Sequence, residues 1–196
     1  MKIENIIFDL GNVLIDVDFT VFYQKLGYFP KPDELKKAKQ VITKFEAGQI
    51  AVDRFIEELN EHWNLQLNVD EFKQIWTNLF SANQQMIALA EDLSKKYPVY
   101  ILSNTDEIHF PYIWNKFSEL HFFQDRLLLS YQLGTVKPNP EIYQSACQKY
   151  DLNPETTVFI DDKAENVASA CSLGFRGIVH KNYRETKQEL DEILKN

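Results

Sequence analysis

The stretch Ile3-Glu4-Asn5-Ile6-Ile7-Phe8-Asp9-Leu10-Gly11-Asn12 decides how the chain is read. Its apolar run is short and stops on an aspartate, a glycine and an asparagine, the pattern of a buried strand entering a functional turn. Outward from it the texture changes twice. From Phe19 to about Tyr97 the apolar spacing is helical throughout. Pro30-Lys31-Pro32-Asp33 opens a helix through Ala38, Val41 and Phe45 that Gly48 closes. A second runs through Phe55, Ile56 and Leu59, and Asn68 with Glu71 caps a third through Phe72, Ile75 and Trp76. Ser81 with Gln84 predicts the start of a fourth, Met86 to Tyr97, stopped by Pro98. Beyond Pro98, apolar runs at 99–102, 126–129, 158–160 and 175–179 alternate with helical stretches, the last of them an amphipathic helix over 184–195. That alternation predicts an α/β fold, a doubly wound parallel sheet with helices on both faces.

Composition bounds the rest. The chain has 196 residues, 44% apolar and 26% charged, which suits one packed unit with room for an insertion. A net charge of −8 argues against nucleic acid or anionic membrane as partner. Without an apolar run approaching the roughly 18 residues of a spanning helix, and without a signal-peptide profile at its start, the protein is expected to be soluble and cytoplasmic. Cys147 and Cys171 lack disulfide or metal-ligand spacing and are expected to be small core residues.

Four polar clusters follow the strands: Asp9 with Gly11, Ser103 with Asn104, Lys137, and Asp161 with Asp162. In open α/β sheets ligands bind beyond the carboxyl ends of the strands, so these clusters are expected to converge. Three carboxylates in one dry pocket raise one another's pKa unless cations accompany them. A hard divalent ion such as Mg²⁺ meets that need, and Gly11 lets the backbone approach it. With Lys137 and the Ser103 hydroxyl added, the set suits a phosphoryl group, and an aspartate can attack phosphorus. Taken singly, Asp161-Asp162 also reads as a helix N-cap pair, and Lys137 as a surface lysine before a proline-started helix.

Four motifs, Phe8-Asp9-Leu10-Gly11-Asn12-Val13, Ile101-Leu102-Ser103-Asn104-Thr105, Gly134-Thr135-Val136-Lys137-Pro138 and Phe159-Ile160-Asp161-Asp162, occur in the order found in the haloacid dehalogenase-like hydrolase superfamily, which the whole chain resembles. The resemblance implies a catalytic core of residues 1–15 plus 85–196 and a helical cap over 16–84. It implies a Mg²⁺-dependent phosphatase acting on a small phosphorylated metabolite through an aspartyl-phosphate. Asp9 would be the nucleophile, Ser103, Asn104 and Lys137 would bind the phosphoryl group, and Asp9, Gly11, Asp161 and Asp162 would hold the metal, Asp162 directly. Two residues after the nucleophile most phosphatases of this superfamily carry a second aspartate as acid and base. Gly11 stands there, which implies activated or self-protonating leaving groups. The Asp-Leu-Gly-Asn-Val variant is similar to that of bacterial sugar phosphatases, glucose 1-phosphate enzymes included.

Rival readings are a weakly active phosphometabolite-binding or regulatory protein and a metal-independent dehalogenase. A receiver-like signalling domain fits less well, because its acidic pair precedes the accepting aspartate. In the cap, Phe45-Glu46-Ala47-Gly48-Gln49 is a helix end whose Glu46 or Gln49 would touch substrate hydroxyls, or else a solvated C-cap. Asp16 and Asp18 are candidate substitute acids, with turn or capping roles as the alternative. Trp63, Trp76 and Trp114 read as packing residues, and His109 is close enough in sequence to reach the pocket rim. The oligomeric state is left open.

Overall fold

The computed structural model describes residues 2–195. Strand β1 (Asn5–Phe8) leads through residues 9–14 into β2 (Ile15–Val17), followed by four helices, α1 (Phe19–Leu26), α2 (Pro32–Glu46), α3 (Val52–Trp63) and α4 (Val69–Trp76). Strand β3 (Phe80–Ala82) and helix α5 (Gln84–Ser94) bring the chain back to β4 (Val99–Ser103). The remainder is α6 (His109–Lys116), β5 (Leu127–Leu129), α7 (Ser130–Leu133), α8 (Pro140–Tyr150), β6 (Thr157–Asp161), α9 (Ala164–Ser172), β7 (Arg176–Val179) and α10 (Tyr183–Leu194).

Five strands form one parallel sheet in the order β5-β4-β1-β6-β7. Successive side chains of a strand point to opposite faces, and both faces here are buried. Ile6 and Phe8 join Val99, Ile101 and Ile160 on one side, against α5, α6 and α10, while Ile7 joins Tyr100, Leu102 and Phe159 on the other, against α8 and α9. This two-sided burial explains why the strands read as unbroken apolar runs.

The four-helix segment between β2 and β3 is the inserted helical cap. Its interior is aromatic: Phe45 stacks on Phe55 with ring centroids 4.1 Å apart, and Phe22 meets Trp76 edge-on at 4.9 Å. Asn68 caps α4 as expected, its side chain accepting from Glu71 N while the Glu71 carboxylate accepts from Asn68 N.

Four sequence expectations are corrected. The run from Phe19 to Tyr97 is not helical throughout, because Phe80–Ala82 pairs antiparallel with Ile15–Val17 in a ribbon joining cap and core. Ser81 therefore lies in a strand, and Asn83 caps α5 by accepting from Met86 N. The helix ends at Ser94, since Lys96 N and Tyr97 N both turn back to the Leu93 carbonyl ahead of Pro98. Cys171 is exposed: on α9 its sulfur lies beside Gly177 of β7, the edge strand of the sheet, rather than inside the core.

Candidate active site

Parallel pairing places Phe8 beside both Ile101 and Ile160. The next residues along these strands, Asp9, Leu102-Ser103 and Asp161, therefore emerge together at the carboxyl edge of the sheet. A cavity of about 140 Å³ opens there, between this edge and the cap. Asp9, Gly11, Ser103, Asn104, Lys137 and Asp162 line it from the core, and Ile42, Glu46 and Trp76 from the cap.

Lys137 is the hub. Its ammonium is 2.8 Å from Asp9 Oδ1 and 2.6 Å from Asp161 Oδ2, and it donates to the Leu102 carbonyl at 2.9 Å. Asn104 fixes the loop that carries it: Asn104 Nδ2 donates to the Lys137 carbonyl at 2.9 Å, and Lys137 N donates to Asn104 Oδ1 at 2.8 Å. Burial alone would lower the lysine pKa, but the two carboxylates outweigh it and hold the group above its ordinary value.

Asp9 is 7% exposed. Its Oδ1 accepts from Leu10 N at 2.7 Å as well as facing Lys137, which leaves Oδ2 as the oxygen without a donor among the described residues. Burial, opposed by Lys137 and reinforced by Asp161, drives this carboxyl up to about 7. Asp161 is fully enclosed and saturated with donors: Lys163 N at 2.8 Å, Asn166 Nδ2 at 2.8 and 3.0 Å, and Lys137. Asp162 is half-buried and accepts only from Asn12 Nδ2, at 3.2 Å, among the described residues.

Carboxylate oxygens of Asp9, Asp161 and Asp162 lie within 4.8 Å of one another. One lysine cannot balance three acids at that spacing, so the set fits a hard divalent cation. The Asp9 carboxylate and an uncrowded Asp162 are the available ligands, whereas the donors around Asp161 suit it to orient Lys137 and Asn166. The buried Asn166 Oδ1 beside them has no hydrogen-bond partner among the described residues.

Glu46, at the last turn of α2, reaches the cavity, but Gln49 is exposed and lies in a separate groove with Glu107 and Tyr131. Enclosure by its surroundings, with Asp106 adding repulsion, pushes the Glu46 carboxyl up to about 7. Asp18 caps α1 by accepting from Thr20 N at 2.9 Å, and Asp16 is exposed on β2, so neither lines the cavity. Gly48, at φ +64°, lets α2 end against the core: a Cβ there would stand 2.3 Å from the Tyr131 carbonyl oxygen.

His109 lines the cavity as its position in the sequence suggests, and it ties cap to core. Its Nε2 is 2.8 Å from the Trp76 carbonyl, which can only accept, and its ring stacks on Trp76 with centroids 4.7 Å apart. Its Nδ1 faces Asp106 Oδ2 at 2.9 Å. Burial would raise the Asp106 carboxyl, but the His109 ring and the N–H groups of Ile108 and His109 hold it below its ordinary value. Sequence reasoning missed Asp106, Asn12, Asn166 and Lys163. The Asp106-x-x-His109 spacing, which places both side chains on one turn, was the signal for the first of them.

Comparison with known proteins agrees with this geometry. The family model described as haloacid dehalogenase-like hydrolase matches residues 3–174. The chain is 32% identical over 203 residues to the D-ribitol-5-phosphate phosphatase of Bacteroides thetaiotaomicron, covering 98% of each. The crystal structure of a haloacid dehalogenase family enzyme from the same organism, bt-2542, superposes with a TM-score of 0.84 at 26% identity, covering 92% of this chain and 95% of that one. The complex of wild-type bt-2542 with magnesium and inorganic phosphate superposes with a TM-score of 0.79 at 26% identity, covering 91% and 94%. On the strength of that match, the fold and the gathered acidic, hydroxyl and lysine groups, the chain belongs to the haloacid dehalogenase-like hydrolase family.

Proposed function

We propose that the protein is a Mg²⁺-dependent phosphatase that hydrolyses a small sugar or polyol phosphate through an aspartyl-phosphate. The observation that carries this reading is the Asp9 carboxylate: one oxygen is pinned by Leu10 N and Lys137, and the other is free at a cavity lined by Ser103 and Asn104. Pinning orients the free oxygen for in-line attack. The similarity to a phosphatase of ribitol phosphate supports a polyol or sugar leaving group, and the magnesium-bound relative supports the metal.

In this reading residues 1–15 and 85–196 form the catalytic core and 16–84 the cap. Asp9, Asp162 and the Gly11 carbonyl hold the metal, with Asp161 behind them, and the ion when bound offsets charge on the phosphoryl oxygens. Asp9 Oδ2 attacks phosphorus as the bond to the leaving oxygen breaks. Ser103, Asn104 and Lys137 hold the phosphoryl oxygens through this step and through the attack of water that frees Asp9. The cap excludes bulk water and strengthens these charge interactions. The gathered carboxylates of Asp9, Asp161 and Asp162, which one lysine does not balance, speak against the metal-independent dehalogenase alternative.

Phosphate release from pentitol, pentose and hexose phosphates, with magnesium and with EDTA, tests the proposal. Turnover is expected only with the metal and only with Asp9 intact. Equal turnover by Asp9→Asn, or turnover unaffected by EDTA, would overturn it.

A further inference from the structure

Cleaving a phosphate ester leaves an alkoxide that needs a proton, and the second step needs a base for water. The titratable groups lining the cavity are few, and most are committed. Asp9 is the attacking group, Asp162 faces the metal position, and Lys137 is held by two carboxylates and a carbonyl. Lys163 is exposed. His109 spends both ring nitrogens on Asp106 and the Trp76 carbonyl. No titratable side chain occupies position 11.

Glu46 remains. It lines the same cavity as Asp9 but from the cap, at the end of α2, and it makes no hydrogen bond or ion pair among the described residues. An unpartnered carboxyl enclosed in a cavity costs free energy unless a ligand uses it. Its position is also enforced, because α2 ends where Gly48 packs against Tyr131 of the core.

We infer that Glu46 is the general acid and base of the reaction, delivered by the cap, and that it supplies the proton exchange that Gly11 does not. The inference rests on the phosphatase reading. In the first step Asp9 Oδ2 bonds to phosphorus, the phosphorus–oxygen ester bond breaks, and the Glu46 proton passes to the leaving oxygen, giving the alcohol and a Glu46 carboxylate. In the second, water attacks phosphorus and gives that carboxylate a proton, and the bond to Asp9 breaks, releasing phosphate. Both steps use the same side of the phosphorus, where the leaving group departs and water enters. The groups that face Glu46 electrostatically are Asp106, which opposes its ionisation, and Lys163, His109 and Lys137, which favour it; burial dominates and places the carboxyl at about 7, where both forms are populated near neutral pH.

Rapid-mixing kinetics on Glu46→Gln with magnesium tests this. An aryl phosphate such as 4-nitrophenyl phosphate needs no acid to leave, so the variant should release one equivalent of nitrophenol per enzyme at close to the wild-type rate. Steady turnover should then slow by about 10²–10⁴-fold, with a hydroxylamine-sensitive acyl phosphate accumulating. On an alkyl phosphate such as a pentitol phosphate the burst should vanish, with KM within about threefold of wild type. If burst and turnover fall together, or if only KM rises, Glu46 binds substrate rather than moving protons; the inference fails and the phosphatase reading stands. If the wild type forms neither nitrophenol nor phosphoenzyme, the phosphatase reading fails and takes the inference with it.

Discussion

Glu46 also predicts an effect on stability that needs no substrate. Its carboxyl has an ordinary pKa of 4.5 and sits at about 7 in the folded chain. Between those values the unfolded chain has released the proton and the folded chain still holds it, so folding takes up a proton and stability falls as pH rises through this window. At about 1.4 kcal/mol for each tenfold change, a rise from 4.5 to about 7 corresponds to a loss of about 3 kcal/mol, complete above pH 7. Solvent reaching the half-buried side chain makes that an upper value. Glu46→Gln, neutral in both states, should lack this loss. For a chain of this size about 1 kcal/mol moves the midpoint by roughly 2–4 °C, so the variant should melt up to about 6–12 °C above wild type at pH 8. At pH 4.5 the two should nearly coincide. Thermal unfolding in EDTA across that range measures the difference, and the upward shift of Asp9 cancels because both proteins share it. Parallel melting curves at all pH values would refute the reasoning, because they would mean that enclosure does not penalise the Glu46 charge.

Other perturbations probe the neighbouring contacts. Lys137→Met removes the cation between Asp9 and Asp161, and stranding buried charges costs about 3–5 kcal/mol; the metal-free variant should melt roughly 6–20 °C lower at pH 8, and the deficit should shrink as acid protonates Asp9. Gly48→Ala should destabilise more than Gly27→Ala in chemical denaturation. Both glycines have φ +64°, but a Cβ at 48 meets the Tyr131 carbonyl at 2.3 Å whereas nothing lies within 4 Å at 27; the shared backbone strain is about 1–2 kcal/mol, and overpacking adds about 1–3 kcal/mol at Gly48 alone. Adding Gly11→Asp to Glu46→Gln should restore alkyl-phosphate turnover by at least about tenfold, because a Cβ at 11 meets only Val17 Cγ2 at 3.6 Å and the new carboxyl can enter the cavity.

What was legible in the sequence was whatever a strand end carries. Asp9, Ser103 and Asp161 each follow a run buried on both faces, and parallel pairing sends such residues to one edge whatever their separation along the chain. The ribbon of β2 and β3 was illegible for the opposite reason. Three residues, Phe80 to Ala82, carry too little pattern of their own, and only pairing with Ile15–Val17 makes them a strand. Asp106 and Asn166 stayed hidden because their work is to satisfy other polar groups, His109 in one case and Asp161 in the other, and such partnerships exist only after folding. Glu46 falls between these cases. The helix end that bears it was readable from Gly48, but its chemical character comes first from burial, reinforced by Asp106 and opposed by Lys163, His109 and Lys137, core groups that face it only when the cap is seated. A carboxyl whose protonation depends on that seating links the two lobes physically: any change that lifts α2 from Tyr131 should lower the Glu46 pKa toward 4.5 and weaken the acid at neutral pH before it disturbs Asp9.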